Sequence, residues 1–307
     1  MKFTLMLIGT LALLLIAFCY VLFYGAIVRF KHPRKTEPKA LQPFMPAITE
    51  GKKWFAAQEK EDVEIPAFDG IRLVGEYLPA KGEAKGTIIL VHGYRASEYR
   101  DFSCVYKLYH DMGYSLLNVH QRAHGRSGGK YITFGMRERY DCLCWAQYVC
   151  DRFGKNHPTF ISGISMGAAT VLMASDLDLP ENIRGITADS AYISVYDEFA
   201  HVLKSMLHLP PHPFIDIAGA FAYIFAGFSF RSVSALDCVK NTRVPILFLS
   251  GEADDFVPHQ YTLDLYEACA SEKYIVTVAG AGHGLAFLTD REKCLTVLEN
   301  FFDKYTY

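Results

Sequence analysis

Between residues 86 and 302, short apolar runs at 87–91, 115–119, 159–164, 183–188, 244–250 and 274–278 alternate with longer stretches of helical spacing at 99–112, 136–153, 166–177, 259–270 and 290–302. A run that is apolar throughout, rather than on alternate residues, suits a strand buried on both faces. Parallel neighbours of that kind need crossovers of a dozen or more residues, usually helical. The pattern predicts an α/β fold, with a mostly parallel sheet and helices on both faces. Upstream, residues 62–68 and 71–78 flank Asp69-Gly70, a turn signal, and read as an antiparallel hairpin at a sheet edge. No internal repeat is visible, and no Gly-x-Gly-x-x-Gly or phosphate-loop pattern follows any run.

The alternation breaks at 192–236, where about 45 residues rich in Phe, Leu and Ala stand between two strands, with Leu209-Pro210-Pro211-His212-Pro213 at an expected helix break. This insertion reads as a helical cap over the carboxyl ends of the strands. The 307 residues fit one catalytic domain, 49–307, preceded by extra segments. Residues 31–48 are rich in Pro and Lys and read as a juxtamembrane linker. Within residues 1–30, Phe3 to Val28 carries no charge and as a helix is roughly 39 Å long, enough to cross a bilayer's hydrocarbon core. The run is too long for the apolar part of a signal peptide, and no small-x-small pattern closes it, so an uncleaved single-pass anchor is expected. Lys2 precedes the span, whereas Arg29, Lys31, Arg34 and Lys35 follow it, which favours a cytoplasmic catalytic domain.

A formal net charge of −2 and scattered Lys and Arg argue against a nucleic-acid partner. The eight cysteines form no framework, and the close set Cys142, Cys144 and Cys150 reads as reduced thiols on a helix rather than as a metal site.

Gly163-Ile164-Ser165-Met166-Gly167 closes one apolar run and opens a helical stretch. As a string this is weak; between a buried strand and a helix it describes a nucleophile elbow, whose glycines leave room for neighbouring backbone. The helix after Ser165 points its first amides at charge formed during attack. A serine hydroxyl needs a base, and the base needs an acid to hold one tautomer. Downstream, Asp254 stands in the loop after one strand and His283, in Gly280-Ala281-Gly282-His283-Gly284, after the next. Both loops are expected at the carboxyl edge of the sheet, where α/β sites form.

Four stretches carry a resemblance: Val91-His92-Gly93-Tyr94, Gln121-Arg122-Ala123-His124-Gly125-Arg126-Ser127, the serine elbow, and Gly251 to Pro258 taken with His283. From about Phe55 to Phe302 the chain resembles the α/β-hydrolases, and within them the cap-bearing bacterial carboxylesterase-like hydrolases often labelled serine aminopeptidase (S33) or monoacylglycerol-lipase relatives. The resemblance implies that Asp254 is the acid, with Asp255 a weaker substitute, and that the backbone amides of Tyr94 and Met166 form the oxyanion hole. It also departs from the family, which often has an aspartate where this chain has His120. His92 and His124 read as loop-bracing groups and His201, His208 and His212 as structural or substrate-adjacent. The Tyr94 side chain is a candidate to line the pocket.

Together these readings point to a serine esterase that cleaves acyl esters through an acyl-enzyme, with no metal or organic cofactor required. The cap residues Phe199, Phe214, Phe221, Phe225 and Phe228 suggest a small apolar ester or lipid-like substrate. Two other readings stay open. One is a peptidase removing amino-terminal residues, which would need an acidic patch that only Asp197 and Glu198 offer; the other is a membrane-tethered binding protein on the same fold. The sequence does not fix the oligomeric state.

Overall fold

Helix α1, Lys2–Ile27, opens the chain as an uninterrupted apolar helix in the computed structural model, which describes residues 1–30, 39–96 and 99–307. Most of its length is exposed, but Cys19, Phe23 and Ile27, spaced four apart on one face, are buried. The last carbonyls of a helix lack partners within it. Here three consecutive ones are satisfied by the rest of the chain: Ala26 O accepts from the Tyr94 hydroxyl (2.8 Å), Ile27 O from the Ile132 amide (2.8 Å) and Val28 O from Arg95 (2.9 Å). Arg29 continues the clamp by donating to the carbonyls of Ser127 (2.6 Å) and Gly125 (2.7 Å).

A 3-10 turn at Lys39–Phe44 leads into α2, Met45–Ala56. The described part of the expected linker 31–48 is thus helical, and ordered structure precedes residue 49. The physical reason is burial of Ile48 and Phe55, the latter stacked on Tyr106 at 3.9 Å. Lys31, Arg34 and Lys35 lie outside the described residues.

The remainder runs β1 (Glu61–Pro66), β2 (Arg72–Leu78), β3 (Gly86–Val91), α3 (Tyr106–Asp111), β4 (Tyr114–His120), α4 (Glu138–Phe153), β5 (Thr159–Ile164), α5 (Met166–Ala174) and β6 (Ile183–Asp189). Then come α6 (Val195–Ser205), α7 (Phe214–Phe221) with a π-turn at Ala222–Ala226, α8 (Ala235–Cys238), β7 (Ile246–Gly251), α9 (His259–Ala268), β8 (Lys273–Val278), α10 (Ala286–Thr289) and α11 (Arg291–Thr306). The strands form one sheet in the order β1-β2-β4-β3-β5-β6-β7-β8. Pairing is parallel from β4 through β8, and β2 is antiparallel to both β1 and β4. As the uniform apolar runs require, β3 and β4 are buried along their whole length. Their side chains feed two cores, with Ile89 and Val91 packing toward Trp145 of α4 and Ile88 and Leu90 toward Phe301 and Phe302 of α11.

At the edge, β1 alternates, with Val63 and Ile65 inward and Glu61, Asp62 and Glu64 outward. The connection at Asp69-Gly70 is longer than a two-residue turn: Ala67 and Ile71 close it by a 2.8 Å backbone bond, and Asp69 is drawn to Arg122 at 2.9 Å. The helix expected from residue 99 begins only at Tyr106, because Tyr99 sits at φ 60°, a left-handed conformation that a right-handed helix excludes. The 192–236 stretch is built of α6, α7 and α8. Ser194 and Ser234 cap α6 and α8 by accepting from Asp197 N and Asp237 N, each at 3.0 Å. All eight cysteines are free, five of them buried.

Candidate active site

Ser165 sits between β5 and α5 at φ 56°, ψ −119°, outside the conformations that residues with a Cβ ordinarily adopt. The tight turn is possible because of its glycines. A Cβ on Gly167 would lie 1.9 Å from the Val91 carbonyl oxygen of β3, and one on Gly163 would lie 2.4 Å from Gly167 O. The Ser165 amide is held by the Asp189 carbonyl at the end of β6 (2.8 Å). This presents the hydroxyl above the carboxyl edge of the sheet.

Two neighbouring strand ends supply the other groups. After β7, Gly251 packs so closely against the following strand's loop that a Cβ would stand 2.2 Å from Ala281 O, and Ala253 N bonds that same oxygen at 2.9 Å. The loops bearing Asp254 and His283 are thereby locked together. The Asp254 carboxylate, fully buried, accepts from the amides of Phe256 (3.0 Å) and Val257 (2.9 Å) through Oδ1 and lies 2.8 Å from His283 Nδ1 through Oδ2. The other ring nitrogen, Nε2, is 2.8 Å from Ser165 Oγ. A carboxylate can only accept, so Nδ1 carries the proton and Nε2 is left to accept from the serine hydroxyl. Asp255 is exposed; its carbonyl instead accepts from His201 of α6 at 2.9 Å, which ties the insertion to the acid loop.

Tyr94 and Met166 flank the serine. A Cβ on Gly93 would touch Ser165 Cβ at 3.3 Å, so residue 94 follows a backbone segment pressed against the elbow. Met166 N opens α5, where no earlier turn can accept it. The Gly93 turn is braced by Asp101, whose Oδ2 accepts Gly93 N at 2.8 Å. His92 and His124 brace the same loops: His92 Nε2 accepts from Gln121 N (3.2 Å) and His124 Nε2 from Arg95 N (3.0 Å). Burial holds both rings below the ordinary histidine range, which keeps them neutral acceptors. His212 pairs with Asp216 on an exposed face, and His208 is exposed. His120 lies 3.8 Å from Glu76, a buried carboxylate that also accepts from the Tyr99 hydroxyl at 2.7 Å.

Two cavities meet at Ser165. One, of about 380 Å³, is lined by Phe199, Phe214 and Phe230, by Tyr94 and Met166, and by Leu22 and Ala26 of α1. The other, of about 460 Å³, contains His283, Asp189, Asp101 and Ser103 among apolar residues such as Leu288. Of the five phenylalanines expected in a pocket, Phe199 and Phe214 line it; Phe221 and Phe225 pack instead on Phe23 of α1, at 6.0 and 5.9 Å, and Phe228 is buried against Phe230. Among the described residues, no cluster of His, Cys, Asp and Glu is arranged to hold a metal.

Asp189 was not singled out from the sequence, where a lone acid closing an apolar run carries no signal. Burial is the main cause that pushes its carboxyl up to about 6, reinforced by Asp254 and Asp101 and opposed by the Ser190 hydroxyl and His283. A carboxyl with a raised folded-state pKa holds its proton more tightly when folded. Its contribution to stability is present in full below about pH 4 and is lost as pH rises through 6. Asp189→Asn, which keeps the oxygen that Ser190 bonds at 3.0 Å, should therefore gain on the parent by on the order of 3 kcal/mol between pH 4 and pH 8. Urea unfolding at the two pH values checks this; a constant difference contradicts it.

A strand order of this kind, with a strained serine between a parallel strand and a helix, is that of the α/β-hydrolase fold. A family model described as serine aminopeptidase, S33, matches residues 82–219. The uncharacterized protein YqkD of Bacillus subtilis is 26% identical over 249 residues, 81% of each chain. Caffeoylshikimate esterase of Arabidopsis thaliana is 30% identical over 113 residues, 36% of this chain and 34% of that one. Among solved structures, the Pyrococcus furiosus esterase Pf2001 superposes with a TM-score of 0.67 at 24% identity, covering 83% of this chain and 94% of the other.

Proposed function

We propose that this protein is a membrane-anchored serine hydrolase that cleaves esters of apolar acyl groups. The observation that carries the reading is the continuous hydrogen-bonded line from Ser165 Oγ through His283 to Asp254, each link 2.8 Å. Ser165 Oγ attacks the ester carbonyl while His283 Nε2 takes its proton. The oxyanion is held by the amides of Tyr94 and Met166, and collapse of the tetrahedral adduct expels the alcohol, which receives the proton from His283. Water then repeats the cycle on the acyl-enzyme and returns the carboxylic acid and the free serine. Asp254 keeps Nδ1 protonated and offsets the imidazolium charge. The cavity walled by aromatic and aliphatic side chains suits the acyl portion, and the second cavity, with its polar groups, suits the alcohol.

An ester is favoured over an amino-terminal peptide by the state of the two acids in the insertion. Asp197 is engaged with Ser194 at the start of α6. Glu198 lines the apolar cavity, and burial pushes its carboxyl well above the usual glutamate range, which favours the neutral form and makes it a poor counter-ion for a substrate ammonium. The esterases among the similar proteins support the same choice. Helix α1 has the length and composition to cross a membrane, and the Lys and Arg residues that follow it support a cytoplasmic catalytic domain. Profiling p-nitrophenyl esters beside aminoacyl amides tests the substrate class. Medium-chain esters should exceed both acetate and the aminoacyl amides in kcat/KM by at least about tenfold, given ~0.8 kcal/mol per buried methylene; preference for the amides would overturn the reading.

A further inference from the structure

The acyl-side cavity is not enclosed by the catalytic domain alone. Along α1, Val21, Leu22, Phe23, Gly25, Ala26 and Ile27 contribute side chains or backbone to its wall, with Leu203 and Leu207 of the insertion and Ser165 in the same lining. Without α1 that wall is missing. The helix is also held as part of the domain: its three terminal carbonyls are bonded by Tyr94, Ile132 and Arg95, and Phe23 and Ile27 are buried.

The docked portion of α1 leaves Lys2 to Phe18 projecting, about 26 Å of helix, close to the ~30 Å hydrocarbon thickness of a bilayer. At the boundary stand Tyr20 and Tyr24, both exposed, the residue type that favours the interface between lipid and water. Beside them the apolar helix Phe214–Ala226 packs on α1 through Phe18–Phe214 (5.8 Å), Tyr20–Phe221 (5.3 Å) and Phe23–Phe225 (5.9 Å). Its outer face leaves Tyr223, Ile224 and Phe225 exposed by 50% or more. These side chains continue the apolar surface of α1 at the depth where lipid begins. Val21 and Leu207 line the cavity and are themselves exposed. An exposed apolar patch of this kind, contiguous with a helix long enough to span, fits a bilayer better than water.

We propose that α1 is a wall of the acyl-binding cavity, that the face it shares with Phe214–Ala226 lies in the membrane interface, and that the acyl chain of a bilayer lipid enters the cavity directly from the hydrocarbon layer. This rests on the esterase reading for the chemistry at Ser165; the placement of the apolar face is measurable without it.

The full-length protein in phosphatidylcholine vesicles is treated with a long-chain alkyl fluorophosphonate carrying a diazirine at the tail end, photolysed and digested. With the head group fixed on Ser165, cross-links should fall on residues 21–27 and on α6 and α7. Cross-links confined to the second cavity, at Leu41, Ile48 or Leu288, would overturn the wall. Folded protein that takes no label at Ser165 removes the hydrolase reading and the loading route together. Independently, Phe225→Trp in vesicles of brominated phosphatidylcholine should show a new tryptophan emission quenched at least twofold relative to unbrominated vesicles. An unquenched Trp there sinks the membrane placement whatever Ser165 does.

Discussion

Asp254→Asn is expected to lower kcat on a p-nitrophenyl ester by about four powers of ten while the protein stays folded. The carbonyl oxygen of the asparagine can still accept from Phe256 N and Val257 N, the bonds that now hold Oδ1 at 3.0 and 2.9 Å. Its NH2 group then faces His283 Nδ1, where a carboxylate oxygen stood at 2.8 Å. A donor at that position forces Nδ1 to accept, so the ring proton moves to Nε2 and confronts the Ser165 hydroxyl with a donor in place of a base. Binding and oxyanion stabilisation survive, which leaves a residual rate above that of water. Steady-state kinetics beside a thermal melt decide the matter: a loss under tenfold with unchanged melting would show that Asp254 does not set the tautomer.

Gly167→Ala acts on the fold rather than on the chemistry. The added methyl would be 1.9 Å from Val91 O and 2.7 Å from His92 O, all backbone of a central strand and the loop it feeds. No rotamer relieves a clash between two main chains, and separating them would pull α5 off β3. A cost of about 4 kcal/mol or more is expected, lowering Tm by roughly 10 °C or abolishing soluble expression. Gly282→Ala is the control: its methyl would meet the Leu285 side chain at 3.7 Å and the Ala253 carbonyl oxygen at 3.9 Å, both ordinary contacts, and it should cost less than ~1 kcal/mol. Equal melting of the two variants contradicts the account of the elbow.

The parts of the fold that were legible are those where burial leaves a one-dimensional trace. Strands sandwiched between helices must be apolar at every position, so β3, β4 and β5 stood out within a residue or so of their ends. The positions of Ser165, Asp254 and His283 were legible because each follows a strand of the parallel sheet, whose carboxyl edge gathers its loops. Three things left no trace. A helix facing lipid and a helix facing protein have the same composition, so the docking of α1 through Phe23 and Ile27 could not be read from 26 apolar residues. The role of Asp189 depends on burial beneath neighbouring loops, not on any spacing. The helical segment Lys39–Ala56 carries Pro and Lys like a linker, yet it buries Ile48 and Phe55, the latter against Tyr99 and Tyr106 far along the chain.

The most direct test of the central claim is to treat the folded, full-length protein with a fluorophosphonate and locate the adduct by peptide mass spectrometry. The account predicts one modified serine, Ser165, whose oxygen displaces fluoride from phosphorus, with labelling slowed by orders of magnitude in His283→Ala and absent in Ser165→Ala. Labelling that persists in Ser165→Ala, or a folded parent protein that takes no label, would contradict it.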